Sequence, residues 1–230
     1  MKLIDLKQRL EMLPARKRIG DQGARFSTFL ERAQKARKSA TEAVEAAQFA
    51  KQALAEFDEK EVLSRARQAG RAARRLHKKL SDNTDAVSEA NMDTGFAGLV
   101  SQSTSALDQC KWVWTRLIES KLLGRAALAD VVAQIAPLKP KGEKMQQTVG
   151  KLRNAAPRLP SKAKDAQSAS DLIAEFDALM ITVGLNDEVG DFLREVAGPN
   201  GATVKSLESP KVRAFLDEHK LRGVFRVRLQ

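Results

Sequence analysis

Apolar residues recur at spacings of three and four through residues 28–80, as Ala33, Ala36, Ala40, Ala43, Ala47, Ala50, Leu54 and Phe57. That is a heptad stripe, the mark of a helix that seams against another. The stretch has no proline, its only glycine is Gly70, and it is rich in Ala, Glu, Lys, Gln and Arg, the residues that lose least on entering a helix. About fifty residues at 1.5 Å each predict one rod of roughly 80 Å. Past Phe57 the stripe slips by one position and resumes as Val62, Ala66, Ala69, Ala73, Leu76 and Leu80, an offset expected to perturb the supercoil locally. Small seam residues favour close antiparallel packing over a parallel zipper, whose seam positions want larger side chains. The expectation is a long, coiled-coil-like antiparallel hairpin. Pairing between chains, in a homo-oligomer, satisfies the same pattern.

Before the rod, Leu3, Leu6, Leu10 and Leu13 predict a short amphipathic helix stopped by Pro14, followed by a basic loop, Arg16, Lys17 and Arg18, closed by Gly20 and Gly23. After it, the run Ser81, Asp82, Asn83, Thr84, Asp85 predicts a turn with Thr84 or Asp85 capping a return helix over 85–120, looser at Gly95 and Gly98. Leu107, Cys110, Trp114, Leu117 and Ile118 share one face of that helix. Cys110 therefore reads as a small core residue, while Trp112 falls on the opposite side, where it must meet a third helix or a partner.

Further helices are expected over 125–136, ended by Pro137 and Pro140, and over 141–156, ended by Pro157 and Pro160. Residues 157–170, with lysine, alanine, serine and two prolines, read as a linker. It divides a helical domain (1–156) from a small C-terminal α+β module (171–230). In that module a helix over 171–183 is stopped by Gly184. A second opens at Asn186 or Asp187, residues 202–204 are extended, and Ser209-Pro210 starts a third helix that ends near Lys220. Residues 224–229 alternate Phe225, Val227 and Leu229 against Arg226 and Arg228, a half-buried strand. Phe176, Phe192, Phe215, Phe225 and, packing nearby, Phe96 supply the core. The fold class is mostly α.

Composition narrows the function. The chain has 230 residues, 5% aromatics, no Tyr and a single cysteine, which excludes an internal disulfide and a multi-cysteine metal site. No apolar run approaches membrane-spanning length, and residues 1–13 lack the apolar stretch of a signal peptide; a cytoplasmic location is expected. No metalloprotease, nucleophile-elbow, dinucleotide or P-loop pattern is present. Gly198-Pro199-Asn200-Gly201 lacks a following phosphate-binding Lys and reads as a turn. The acids Asp177, Asp187, Glu188 and Asp191 gather around a helix start, where they offset its dipole. His219 stands at a helix end without named partners. The reading is a non-enzyme with no cofactor and no metal.

The net charge of +11 favours anionic partners. Between residues 65 and 79 lie Arg65, Arg67, Arg71, Arg74, Arg75, Lys78 and Lys79, with His77 and no acid. With Ala66 and Ala69 on the seam, Arg67, Arg71, Arg74 and Lys78 face outward over roughly 16 Å of helix. Like charges a turn apart cost helix stability, so an external counter-charge is expected. The favoured function is a non-catalytic scaffold or adaptor subunit that joins a larger protein partner, through Trp112 and the C-terminal module with Arg226 and Arg228, while the basic rod tip contacts an anionic partner. The alternative is direct, non-specific DNA or RNA binding by the stripe, with Arg16, Lys17, Arg18, Arg226 and Arg228 as secondary contacts. A third reading attaches the N-terminal amphipathic helix to a membrane surface.

Overall fold

The computed structural model describes residues 3–198 and 201–223, with side chains from Gly20 onward apart from those of Thr84 and Asp85. The described residues are overwhelmingly helical, and no strand occurs among them. The long helices are α1 (Leu3–Ala53), α2 (Lys60–Asp82) and α3 (Ala90–Leu122); α4 (Arg125–Gln134), α5 (Lys139–Ala155), α6 (Ala163–Val183), α7 (Asp187–Ala197), α8 (Val204–Glu208) and α9 (Pro210–Glu218) follow. Contacts divide the chain into two compact units, residues 1–48 with 58–112, and residues 49–57 with 113–230.

The first unit corrects the single rod. Residues 28–80 are not one helix: the chain leaves α1 at Ala53 and re-enters α2 at Lys60, whose N–H donates to the Asp58 carboxylate at 3.1 Å. The one-residue slip in the stripe marks this turn. Both halves of the seam face inward, with Ala36, Ala43, Ala46 and Ala47 buried on α1 and Val62 and Ala69 on α2. α2 runs antiparallel to α3, since Arg65 meets Ser105 at one end and Lys79 meets Glu89 and Asn91 at the other. α1 runs parallel to α3, with Gln22 and Arg25 on Ser88 and Arg32 on Asp93. The result is an up–down–up arrangement of three helices. Phe29 stacks on Phe96 at 4.6 Å between ring centres, within a core completed by Val87, Met92 and Leu99. Phe96 therefore belongs here and not with the C-terminal phenylalanines.

Two further expectations in this unit change. α1 continues through Pro14, Gly20 and Gly23, so the short N-terminal helix and the basic loop merge into one element. Proline removes one N–H and each glycine costs about 1 kcal/mol, penalties that the good helix formers on both sides outweigh. The side chains of Arg16, Lys17 and Arg18 lie outside the described ones. At the other end, a 3-10 turn, Thr84–Ser88, stands before α3. Its Ala86 and Val87 are buried, so packing holds it in place; the side chains of the expected caps, Thr84 and Asp85, lie outside the described ones. Gly95 is no loose patch, because a Cβ there would come within 2.7 Å of Leu76 Cδ2.

The second unit is built on larger side chains. One core joins Leu128, Val132, Met145 and Val149 of α4 and α5 to Phe176 of α6, Phe192 and Leu193 of α7, and Phe215 and Leu216 of α9. α4 and α5 meet at Gly142, where a Cβ would stand 2.7 Å from the Val132 carbonyl carbon and closer still to the Ala133 backbone. Only glycine permits that approach. Pro140 lies in the first turn of α5, so it opens a helix where an ending was expected. The carbonyls left open at the end of α5 are met from α3: Trp114 Nε1 donates to Ala155 O at 3.4 Å and Thr115 Oγ1 to Ala156 O at 3.0 Å.

Of the expected linker, residues 163–170 form the first turns of α6, with Asp165 accepting from the N–H groups of Ser161 and Lys162, and with Ala166 and Ala169 buried. Gly184 closes α6 in the left-handed region (φ 77°), Asn186 caps α7, and Pro210 opens α9. The α+β expectation does not hold for the described residues. Within the expected extended 202–204, Thr203 has extended backbone and caps the short helix α8, which begins at Val204. The alternating segment 224–229, with Arg226 and Arg228, lies outside the described residues.

Candidate functional site

α2 places its cations by simple helical geometry. At 100° per residue Arg67, Arg71, Arg74, Arg75 and Lys78 fall within an arc of about 100°, centred opposite Val62 and Ala69. Burial of those two residues therefore forces the basic arc outward. All five cations are exposed, and among the described residues none has an ion-pair or hydrogen-bond partner. The arc is bounded by acids, Asp58, Glu59 and Glu61 before it and Asp82 after it.

The other two cations of the predicted stripe are occupied. Arg65 donates to Glu61 Oε1 at 2.5 Å through Nη2 and to Ser105 Oγ at 2.5 Å through Nη1, facing α3. Lys79 donates to Glu89 Oε2 at 2.6 Å and Asn91 Oδ1 at 2.9 Å. The Lys79 ammonium holds the Glu89 carboxyl below its ordinary range, its hydrogen bond being the largest cause. The expectation that no acid compensates the run is thus corrected for these two positions. Glu61 was legible, standing one turn before Arg65 in the favourable orientation. Glu89 was not, because only the fold-back of α3 brings it to Lys79.

Trp112 is exposed (54%) and borders a shallow groove with Arg65, Ser101, Thr104, Ser105, Asp108 and Gln109. The groove lies on the α3 side of α2, so the structure does not bring Trp112 onto the basic arc. Cys110 is fully buried, and burial pushes its thiol up to about 12, as fits a core residue and not a nucleophile.

In the second unit several charged groups are engaged with one another. Asp177 accepts from Arg125 at 2.7 Å, Glu188 from Lys211 at 2.7 Å and Ser209 at 2.6 Å, and Asp191 from Arg194 at 2.6 Å. The Lys211 and Ser209 hydrogen bonds hold the Glu188 carboxyl below its usual range. Glu188 and Asp191 of α7 therefore serve as ion-pair partners, while Asp187 and Glu188 stand in its first turn. His219 meets the Val183 carbonyl at 2.9 Å and the Phe215 ring edge-on, tying α9 to the end of α6. No helix among the described residues is long and apolar enough to cross a membrane. No protein-family model, curated protein or solved structure matches the chain.

Proposed function

We propose that the chain is a non-catalytic helical adaptor of a larger assembly, in which the outer face of α2 holds an anionic partner. One observation carries this reading: five exposed cations, Arg67, Arg71, Arg74, Arg75 and Lys78, share an arc and form no ion pair among the described residues. Their mutual repulsion costs helix stability, and a bound polyanion removes it. α2 is one continuous helix, so its charges form a row and not a diffuse cloud. The groove beside Trp112 offers a separate surface for a protein partner.

The test is a low-salt binding panel of duplex DNA, single-stranded RNA, polyglutamate and anionic vesicles. The native chain is compared with Arg67→Glu/Arg71→Glu/Arg74→Glu. The native chain binds at least one polyanion and the variant loses that binding, with helicity by circular dichroism unchanged. If the native chain ignores all four, or the variant binds as well, the anionic-partner reading falls.

A further inference from the structure

We infer that the anionic partner is a nucleic-acid duplex, gripped through its phosphate backbone without base readout. The inference rests on the adaptor reading above and names the partner it leaves open.

The composition of the face distinguishes a phosphate backbone from an acidic protein. Protein interfaces centre on buried apolar and aromatic anchors with charge at the rim. α2 has none to offer: the exposed large hydrophobics of the described residues are Phe26, Leu30, Trp112, Leu123, Ile181 and Val204, all on other elements. What α2 presents is four guanidinium groups and one ammonium. Arginine forks match phosphate oxygens bidentately, and that contact positions a protein without reading sequence.

Spacing agrees. From Arg67 to Lys78 the helix rises roughly 16 Å, a length along which each strand of a duplex carries about five phosphates. Single strands fit less well, because proteins that hold them stack bases on aromatic side chains, and α2 contains no Phe, Trp or Tyr. Trp112, an exposed candidate for stacking, shares its groove with Arg65, which points toward α3 and away from the arc. The structure thus trims the predicted seven-residue stripe to five phosphate contacts, leaving out Arg65 and Lys79.

Fluorescence anisotropy of the full chain with random-sequence 20-base-pair duplexes tests this between 50 and 200 mM salt. Five contacts give a log–log salt slope of about −4.5, an affinity loss of about 500-fold over that range. Arg71→Gln/Arg74→Gln reduces the slope by about 1.8. Lys79→Gln leaves it unchanged, because Lys79 is already paired. Duplexes of different sequence bind alike. The inference is overturned if the slope is near zero, if the double variant keeps the native slope, or if single strands, polyglutamate or anionic vesicles bind more tightly than duplex at equal salt. Tighter binding of polyglutamate or vesicles that still needs Arg71 and Arg74 would sink the duplex and leave the adaptor reading standing.

Discussion

The two units solve the same problem, burying helix faces, with different side chains. The first packs alanines, with Ala36 and Ala69 buried and Ala33, Ala72 and Ala73 against them, around a small set of larger residues. The second packs Phe176, Phe192, Phe215, Leu128, Leu138 and Leu193. A buried methyl contributes about 0.8 kcal/mol and a full Leu or Phe side chain about 1.5–3, so the first unit depends on continuous helices in close register and the second on a few large contacts. Charge follows a similar division. In the second unit Lys121, Arg125, Arg194, Lys211 and Arg222 each meet a carboxylate. On the outer face of α2 five cations meet none. Exposed ion pairs of this kind add only about 0–1 kcal/mol each, so pairing in the second unit mainly orders the surface. What distinguishes the outer face of α2 is that five cations unpaired among the described residues share one arc.

The sharpest way to break the comparison is to truncate one core residue in each unit. Phe176→Ala removes a fully buried ring and is expected to cost about 3–5 kcal/mol. Ala43→Gly removes one fully buried methyl and adds the helix cost of glycine, about 2 kcal/mol together. Urea unfolding of the two variants measures both. Equal losses would show that the alanine seam contains more stabilisation than its area implies.

A second test probes close approach where no large side chain is involved. Gly142→Ala drives a Cβ into the Ala133 backbone, which must move because backbone cannot rotate away. The expected loss is about 3 kcal/mol, near the upper end for overpacking, read from the thermal midpoint. Gly70→Ala, with open space around it, is the control and should stabilise α2 by up to about 1 kcal/mol.

The smallest effect at neutral pH concerns Cys110. Its thiol is neutral in both folded and unfolded chains below about pH 9, the ordinary thiol value, and its folded pKa is raised to about 12. The unfolded chain therefore loses the proton first as pH rises, and stability falls above pH 9 by up to about 1.4 kcal/mol per pH unit until pH 12. Cys110→Ala should flatten that slope, as measured by denaturant midpoints from pH 7 to 10.5. A thiol reagent at pH 8 should label Cys110 only after unfolding; rapid labelling of the native chain would contradict its place in the core.

Much of this fold was legible because its signals are local. Heptad spacing marked the seam, Asn186, Gly184 and Ser209-Pro210 marked helix ends, and the position of Cys110 among Leu107, Trp114 and Ile118 marked it as core. Errors arose where local punctuation lost to context. Pro14 and Pro140 sit inside or at the start of helices, and residues 163–170 fold into α6 because Asp165 caps them and Ala166 and Ala169 find a core. The break at residues 54–59 carried only a one-position slip, too slight a mark for a turn without glycine or proline.

By itself, then, the sequence determined the helical class, the inward faces and the gathering of cations on one arc of α2. These depend on periodicity along a single helix, which is set by 3.6 residues per turn. Only the tertiary structure decided which cations are spent. Arg65 carries a local sign in Glu61 one turn before it, but Lys79 looks like its neighbours in sequence, and only the α2–α3 hairpin brings Ser105 to Arg65 and Glu89 to Lys79. Pairing across helices depends on where the chain turns, and no local pattern encodes that distance.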